Sequence, residues 1–446
     1  MKINVLPVND DNNAWLHMLD DLPAPTPLTV DGNVDYAVIG GGYTGLAAAR
    51  QLGLYFPDAR IALIDAGRIG NNAAGRCSGF AIDQAHNLKA KSFADVLDEE
   101  RVQIKLNRAG QQVLREAVES NNIDCDWREE GKIHGASTRR GTKLLAEFAN
   151  NLTLLDAPHR HLGADEMKEI TGSSFYKAGL DTSGTVQIQP AALVTGLAST
   201  MPPNVSVYEN SPVTEIQYSR ARASAHKVYC HSGDEQICLR TSVVVLANNS
   251  FGAEFGFYPK HTMPFPTYAS MTRELTDDEL AALGGKDSWG VIPADPFGTT
   301  VRRLSSKRIL IRNIYAYTPH HNPTEKHRLW ARGFHEKSFA KRFPMLKDVE
   351  LEYSWGGSLC LSDNGNPIFG KLAAGVYASL CHNGVGIARG SICGKLLADE
   401  LAGVDSELLD IMRAAGRPNK TKPKWMLSMG APVVLAKKRL RAGREL

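Results

Sequence analysis

The clearest pattern in the chain is a short apolar run, then glycines, then an apolar segment with helical spacing. Residues 35–39 favour a strand, residues 46–52 a helix, and residues 60–65 a second strand that ends in an acid. Together these segments predict a strand–helix–strand motif of about 30 residues.

Three glycines occupy the predicted turn between the first strand and the helix. Gly40, Gly42 and Gly45 have the Gly-x-Gly-x-x-Gly spacing. The first permits a tight turn, the second lets the backbone approach a pyrophosphate, and the third lets the helix pack against the sheet. The helix N-terminus then faces the phosphate charge, and Asp65 can accept hydrogen bonds from ribose hydroxyls. The sequence therefore predicts a dinucleotide site.

Further glycine-rich segments occur far along the chain. Residues 68–80 combine Gly and Ala with an internal Arg, which suits a chain passing close to an extended cofactor. Residues 242–249 are apolar enough for a buried strand. Residues 376–386 run from a strand into a glycine loop before a predicted helix at residues 387–401, which again directs amides at a ligand. The cofactor domain is thus expected to form from separated segments.

The glycine pattern GGGYTGL, the acid after the second strand and GxxAxGRxSG resemble the D-amino-acid oxidase and sarcosine oxidase superfamily of FAD enzymes. Within it, the chain is most similar to γ-glutamylputrescine oxidoreductase-like enzymes. Ala74 and Cys77 stand where those enzymes usually have Ser and Asn, and Asn248 and Asn249 depart from their usual Ala-Thr-Gly.

The resemblance implies an α/β fold with a Rossmann-type (GR2-like) FAD-binding domain, interleaved with an antiparallel-sheet α+β substrate domain. The expected FAD-binding segments are residues 31–93, 154–258 and 356–404, and the expected substrate-domain segments are residues 94–153 and 259–355. An N-terminal arm (1–30) and a basic C-terminal tail (405–446) flank them. Within the substrate domain, we expect a helix around residues 96–118, a helix around 323–340, and strand-like runs at 268–271, 308–311 and 315–317.

The resemblance also implies a set of FAD-binding residues. They are Gly40, Gly42, Tyr43, Thr44, Gly45, Asp65, Ala66, Gly75, Arg76, Cys77, Ser78, Gly79, Val213, Ala247, Asn248, Gly384, Val385 and Gly386. The expected cofactor is non-covalent FAD. Covalent attachment through Cys360 is the alternative, because a Cys at a similar distance before an Ile-Phe-Gly-like segment bonds to the flavin in monomeric sarcosine oxidases.

Amine oxidation requires a neutral nitrogen whose α-C–H points at the flavin, and an aromatic cage lowers the pKa of the substrate amine by desolvation. Candidates for this cage are Trp289, Tyr315, Tyr317, Trp355 and His382, with core packing as the alternative for each. Arg302, Arg303 and Arg312 are candidates for binding a substrate carboxylate. His382, Tyr315, Trp355 and Arg312 are the preferred catalytic residues.

Composition limits the partners and the compartment. The formal net charge of the chain is +3. Its seven cysteines include no CxxC pair, which argues against a zinc site and against a disulfide framework, so no metal is expected. The first residues lack the apolar segment of a secretory signal, and no apolar run reaches about 18 residues. We expect a cytoplasmic enzyme with a small amine or amino-acid substrate, O2 or another electron acceptor, and no nucleic-acid partner.

The charge is unevenly distributed. Residues 413–446 contain ten basic residues and one acidic residue, and they surround an apolar stretch at 425–436. Such a segment suits an anionic membrane surface or a partner protein, whereas docking on the acidic body of the same molecule is the simpler expectation. The enzyme is therefore expected in the cytoplasm, with peripheral contact at the inner face of the membrane as an option.

The leading hypothesis is an FAD-dependent oxidoreductase that oxidises a C–N bond by hydride transfer to flavin N5, followed by hydrolysis of the imine. Expected substrates are γ-glutamylated amines, N-methyl amino acids or D-amino acids. Alternatives are a flavin dehydrogenase that passes electrons to a quinone or protein at a membrane, a tailoring enzyme for a peptide or biosynthetic intermediate, an NAD-dependent enzyme, and a non-catalytic interaction protein.

Overall fold

The structure, a computed structural model, describes residues 1–84, 97–219, 225–233 and 235–446. Its strands, in chain order, are β1 (Gly32–Ile39), β2 (Ile61–Ile64), β3 (Phe80–Ala81), β4 (Lys132–Ala136), β5 (His159–Leu162), β6 (Ala178–Thr182), β7 (Val186–Gln187), β8 (Val205–Tyr208), β9 (Val213–Gln217), β10 (His226–Ser232), β11 (Glu235–Leu246), β12 (Met263–Thr272), β13 (Trp289–Pro293), β14 (Thr300–Arg303), β15 (Ile309–Tyr315), β16 (Leu351–Leu361), β17 (Ile368–Ala373) and β18 (Val376–Leu380).

The helices, in the same order, are α1 (Ala14–His17), α2 (Tyr43–Tyr55), α3 (Leu97–Ser120), α4 (Arg139–Leu154), α5 (Ala164–Thr171), α6 (Pro190–Ser199), α7 (Asp277–Leu283), α8 (Glu325–Arg342), α9 (Gly386–Ala402), α10 (Glu407–Ala414) and α11 (Lys424–Ala442). Short 3-10 turns lie at Ala73–Arg76, Asn249–Phe255, Pro344–Leu346 and Gly443–Glu445.

The first sheet contains the predicted strand–helix–strand motif. Its order is β17-β18-β11-β1-β2-β8, and β9 and β10 extend it through β11. The strands β18, β11, β1, β2 and β8 are parallel to their neighbours, whereas β17 and β10 run antiparallel. The prediction of β1, α2 and β2 is confirmed, and so is the α/β fold class.

Both faces of this sheet are covered, which explains its continuous apolar strands. Side chains alternate along a strand, so Val38 and Leu63 join the core that also contains Leu52 of α2. Their neighbours Ile39 and Ile64 join a second core on the opposite face. Parallel strands of this kind direct their carboxyl ends to one edge, where the glycine turns lie.

The second sheet has the order β16-β12-β15-β14-β13-β4-β6-β5, and its neighbouring strands are antiparallel except for β13 and β4. Strands β5 and β6 fall in the segment 154–258 that was expected in the cofactor domain, so that boundary differs from the structure. Their exposed polar positions, such as His161, gave no sign of which sheet they join. Strand β16 also continues across the expected boundary between residues 355 and 356.

The expected elements of the second domain correspond in part. The helices predicted around residues 96–118 and 323–340 appear as α3 and α8, with Val96 lying outside the described residues. The runs at 268–271 and 308–311 lie on β12 and β15. Residues 315–317 form no separate strand, because β15 ends at Tyr315.

Helices α2 and α9 cross at very short distance. A Cβ atom added at Gly394 of α9 would lie 2.2 Å from the carbonyl oxygen of Thr44 in α2. Only glycine permits this approach, which holds the N-terminal turn of α2 against α9.

We predict that Gly394→Ala lowers the free energy of unfolding by about 3 kcal/mol, because the methyl group overlaps backbone that cannot move independently. Gly333 of α8 is the matched control, since a Cβ atom there meets no atom within 4 Å. Gly333→Ala should raise the stability by about 0.5–1 kcal/mol through helix propensity. Urea unfolding followed by circular dichroism measures both changes, and similar stabilities for the two variants would contradict the close crossing.

Candidate active site

A cavity of about 380 Å³ lies between the two sheets. Its wall combines the turn after β1, the loop 72–78, the end of β11, parts of β12 and β15, residues 356–360 and the loop before α9. Segments from the beginning, middle and end of the chain therefore meet at one site, as the separated glycine segments required.

Most of the predicted site residues line this cavity. They are Gly40, Gly42, Tyr43, Thr44, Asp65, Ala66, Arg76, Cys77, Ser78, Val213, Ala247, Asn248, Arg312, His382, Gly384 and Gly386. Of the described residues in the prediction, Gly45, Gly75, Gly79, Val385, Tyr315 and Trp355 lie outside the wall. Each of these six residues lies next to a residue of the wall, either in the chain or in space, without lining the cavity itself.

The turn after β1 needs glycine for two reasons. Gly40 has a φ of +112°, and a Cβ atom there would lie 2.8 Å from the carbonyl carbon and oxygen of Ala247. Gly42 meets only Ala74 at ordinary contact distance, so its remaining surroundings are open. The turn thereby brings β1 and β11 together and exposes backbone to the cavity.

Two helix N-termini point at the cavity. Helix α2 begins at Tyr43 behind Gly42, and α9 begins at Gly386 behind Val385. The loop before α9 is tight, since Cys381 and Asn383 have φ values of 64° and 53°. Free amides and the helix dipoles make both ends suitable for negative charge.

Asn248, at the end of β11, has both amide atoms buried without a hydrogen-bond partner among the described residues. It also lines the cavity. Its neighbour Asn249 adopts a φ of 43° and accepts a hydrogen bond from the Cys381 amide at 3.0 Å. Asn249 thus links this turn to the α9 loop, whereas Asn248 offers a donor and an acceptor to a ligand.

His382 forms a buried hydrogen bond with Thr44, whose hydroxyl lies 2.8 Å from its Nε2. Burial, with a further contribution from Arg389, lowers the pKa of His382 to about 3. The imidazole is therefore neutral at physiological pH, and its Nδ1 is buried without a partner in the described part of the chain. It joins the N-terminal turn of α2 to the α9 loop and carries no charge.

The loop 70–79 is held from outside by buried side chains. The Trp15 indole donates to the Cys77 carbonyl at 2.9 Å, and the Trp355 indole donates to the Arg76 carbonyl at 2.9 Å. The Asn13 amide donates to the carbonyls of Gly70 and Gly75. A loop with so little side-chain volume needs these external partners to keep a single conformation.

Arg302 completes this support. Its Nη1 donates to the carbonyls of Ser78 (2.8 Å), Gly79 (3.1 Å) and Ile188 (2.8 Å), and its side chain is fully buried. The guanidinium also lies 5.6 Å from the Trp15 ring and 5.2 Å from the Phe80 ring. Arg302 therefore supports the cavity wall and does not face a substrate, which differs from the carboxylate-binding hypothesis.

The guanidinium of Arg76 likewise forms its hydrogen bonds with groups of the protein. It donates to the carbonyl and side-chain oxygens of Asn71 and pairs with Asp10 at 2.9 Å. It also donates to the Gly356 carbonyl at 3.2 Å. Arg76 thus joins the N-terminal arm, its own loop and β16.

The carboxylate of Asp65 stabilises the turn after β1 by accepting hydrogen bonds. It accepts hydrogen bonds from the amides of Gly41 (2.7 Å) and Gly67 (2.9 Å) and from the Asn72 side chain (3.2 Å). A carboxylate offers about four acceptor positions, so one stays available on the cavity side. The ribose contact expected for Asp65 stays a prediction.

The expected aromatic cage does not form as a group. Trp355 is fully buried behind the loop, and Trp289 packs in the core of the second sheet near Phe343. Tyr317 packs near Phe265. Core packing, the alternative for each of these residues, is what the structure shows for Trp355 and Trp289, since an aromatic side chain in the sequence is equally compatible with a core and with a cavity.

The second sheet contributes a different group to the cavity. Arg312 lines the wall together with Thr267, Tyr268 and Ile292. It donates to the Tyr315 hydroxyl at 2.7 Å and lies 5.4 Å from that ring. Tyr315 therefore positions Arg312 from outside the wall. Arg303, in contrast, is turned toward the Gly284 carbonyl and Asp287.

Cys360 also lines the cavity and is buried. Contact with Cys381 and burial raise the pKa of the Cys360 thiol well above its usual value. The thiol form is therefore favoured, and attachment of a flavin to Cys360 stays a prediction.

The N-terminal arm is the part of the wall that sequence reasoning missed. Ile3, Val5, Leu6, Pro7 and Asn9 line the cavity, and the Asn322 side chain accepts from the Val8 amide at 2.9 Å. The arm carries no glycine pattern or charge cluster, so no local feature marked it. The need of loop 70–79 for external donors was the available indication.

The parallel sheet and the glycine-lined cavity at its carboxyl edge are those of a dinucleotide-binding protein of the Rossmann type. The model of the family of FAD-dependent oxidoreductases called DAO matches residues 35–400, and the chain belongs to this family. It is 28% identical to gamma-glutamylputrescine oxidoreductase of Escherichia coli K12 over 388 residues, which cover 84% of this chain and 85% of that protein. It is 27% identical to the probable oxidoreductase OrdL of Rhizobium meliloti, covering 84% of each.

A solved structure shows the same fold. Glycine oxidase from Geobacillus kaustophilus superposes with a TM-score of 0.68 at 20% identity, covering 84% of this chain and 96% of that one. The prediction of family, enzyme class and FAD as the cofactor is confirmed by the family match.

The cavity fits FAD on its own residues. Two helix N-termini suit the pyrophosphate, the open surroundings of Gly42 accommodate backbone contact, and the unpartnered Asn248 offers polar atoms. The family of this chain binds FAD, and these residues are the ones that we expect to hold it.

We predict that Arg302→Lys lowers the free energy of unfolding by about 3 kcal/mol and releases FAD, because buried carbonyls of loop 70–79 lose the guanidinium that donates to them. Arg303→Lys is the control, since Arg303 lies on the same strand, is also buried, and donates to the Gly284 carbonyl instead of to a carbonyl of loop 70–79. It should cost stability but retain FAD. The flavin absorbance that co-purifies with each variant measures retention, and equal retention would contradict the role of Arg302.

Proposed function

We propose that this enzyme oxidises the C–N bond of a small amine or amino acid that carries a carboxylate, giving an imine that water hydrolyses to a carbonyl. The observation that carries the proposal is the guanidinium of Arg312 in the cavity wall. Among the described residues, its hydrogen-bond partner is the Tyr315 hydroxyl, and no carboxylate pairs with it.

A cation in a partly buried wall favours an anionic ligand, and guanidinium matches carboxylate in a two-pronged contact. Tyr315 holds the side chain of Arg312 through its hydroxyl, while the hydroxyl itself lies 3.4 Å from the Pro296 carbonyl. Arg312 therefore keeps a defined direction before substrate arrives. Apolar neighbours such as Ile292 exclude water around the contact.

The second requirement is a neutral amine. Arg312 contributes a positive charge, and apolar groups such as Tyr268 and Ile292 disfavour an ammonium ion beside it. The amine then loses its proton to solvent on binding. Bound FAD supplies the two-electron oxidation by taking the α-hydrogen as hydride. The N–H proton leaves, the C=N bond forms, and water later releases the nitrogen as an amine or ammonia.

The neutral His382 supports this chemistry without titrating. The Thr44 hydroxyl holds its ring, so its Nδ1 side stays available for a hydrogen bond in the cavity. An imidazole that stays neutral adds no charge to a site that already contains Arg312. We assign His382 a positioning role.

The substrates that combine an oxidisable amine with a carboxylate include γ-glutamylated amines, N-methyl amino acids and D-amino acids. Gamma-glutamylputrescine oxidoreductase and glycine oxidase carry such substrates in their names. The electron acceptor is O2 or another acceptor. All seven cysteines are free thiols, which is consistent with a cytoplasmic location. Transfer to a quinone or protein at a membrane is the second candidate, favoured by the exposed apolar side chains of α11.

The test of the proposed function is anaerobic bleaching of the bound flavin by a panel of amines. We expect a flavin spectrum in the purified protein and bleaching by at least one carboxylate-bearing amine. The corresponding 2-hydroxy acids are the control and should leave the spectrum unchanged. Bleaching by hydroxy acids alone would overturn amine oxidation, and peroxide formed on admitting air would identify O2 as an acceptor.

We predict that Arg312→Gln raises KM for the active substrate about 30-fold, equivalent to about 2 kcal/mol for one charged hydrogen-bonded contact. The carboxamide of the same substrate should bind the wild type and the variant with similar KM, because it lacks the charge. Steady-state rates with both substrates measure the difference. An equal loss for acid and amide would show that Arg312 supports the fold and does not bind the carboxylate.

A further inference from the structure

Helix α11 exposes a continuous apolar stripe. Trp425, Met429, Val433 and Leu440 follow one another at spacings of four, four and seven residues, which place them on one face of a helix. Their exposed fractions are 66%, 71%, 68% and 79%. Met426 and Val434 beside them are exposed as well. We call the face formed by Trp425, Met429, Val433 and Leu440 the α11 stripe.

The other side of α11 is fixed to the body of the protein. Lys438 lies 5.1 Å from the Phe297 ring, and Arg439 lies 4.9 Å from the Trp330 ring. The helix is followed by Glu445, whose buried carboxylate accepts hydrogen bonds from the amides of Ser137 and Thr138. These contacts hold α11 in one orientation, with the α11 stripe directed away from the protein.

The simpler expectation, that the basic tail docks on the acidic body of the same molecule, corresponds to the structure in part. The end of the tail does dock, since Ala442 and Glu445 are buried. The apolar side chains, however, contact solvent. A row of four exposed apolar side chains along one helix face is typical of an interaction surface.

Basic residues flank the stripe at both ends. Lys420, Lys422 and Lys424 precede it, and Lys437 and Arg441 lie in its last turns. In the part of the chain that the structure describes, none of these five forms an ion pair with a carboxylate. The ten basic residues of 413–446 face a single acid, Glu445, and that acid is buried.

We propose that α11 binds the surface of an anionic lipid bilayer, lying in the plane of the interface with the α11 stripe among the acyl chains. Apolar side chains with Trp at one end, flanked by Lys and Arg, are the composition that such helices need. In the described part of the chain no helix has the length and apolar content to cross a bilayer.

Charge selects the bilayer over a second copy of the chain. Pairing of two α11 helices along the stripe would bring two strongly basic segments together, and like charges oppose that contact. An anionic surface instead attracts the flanking lysines while the stripe loses its contact with water. The proposal does not depend on the substrate of the enzyme.

The experiment is flotation of the FAD-loaded full-length enzyme with two kinds of vesicle. One contains equal parts of phosphatidylglycerol and phosphatidylcholine, and the other contains phosphatidylcholine alone. We expect binding to the anionic vesicles that falls as salt is added, and about tenfold weaker binding to the neutral ones. Equal binding to both would overturn the proposed role of charge.

A triple variant tests the stripe: Trp425→Ser, Met429→Ser and Val433→Ser. Its matched control replaces three exposed apolar residues elsewhere, Val30→Ser, Leu54→Ser and Leu154→Ser. We expect the stripe variant to lose about tenfold or more of its affinity for anionic vesicles, while the control binds like wild type. Both should keep wild-type flavin content, because none of the six residues lines the cavity.

Two further results would overturn the proposal. One is unchanged vesicle binding by the stripe variant. The other is a wild-type protein that does not bind vesicles but forms a dimer in light scattering, with the dimer lost in the stripe variant. That second result would assign the α11 stripe to a second copy of the chain.

Discussion

One buried guanidinium joins the two halves of this enzyme. Arg302 belongs to β14 of the second sheet, yet its Nη1 donates to carbonyls of Ser78 and Gly79 in the loop of the cofactor domain. That loop has few side chains of its own to define its path, so its conformation depends on donors from other segments. The shape of the cavity wall is therefore set by packing between the sheets, and the two domains form one site.

The charges around the cavity have a consistent arrangement. The N-termini of α2 and α9 supply partial positive charge to the cavity, which favours negatively charged groups of a ligand. On the side of the second sheet, Arg312 contributes a full positive charge, while burial keeps His382 neutral. Anionic groups are thus favoured at the helix N-termini and at Arg312, and a positive charge close to Arg312 is disfavoured.

Local patterns predicted the cofactor site well, because β1, α2 and β2 are adjacent in sequence and their glycines have steric roles that few other residues meet. The residues on the substrate side of the cavity were harder to predict from the sequence. Arg302 and Arg312 look alike in sequence, and the pairing of β14 with β15 places both on the same face of the sheet, where Arg302 reaches the loop and Arg312 lines the cavity. The sequence suggested Trp355 as a cage residue, whereas in the structure its indole donates a hydrogen bond to the Arg76 carbonyl. The N-terminal arm contacts residues far along the chain, so no short-range pattern marked it.

The cavity wall runs in sequence from Ile3 to Ile387, and this has a consequence for biosynthesis. The central strand β1 pairs with β11, about two hundred residues later, and β11 pairs with β18. During translation the first glycine turn leaves the ribosome long before its partners do. The cavity wall can therefore be completed only after residues beyond the start of α9 have emerged, so a ligand that needs the whole wall is bound after most of the chain has been made.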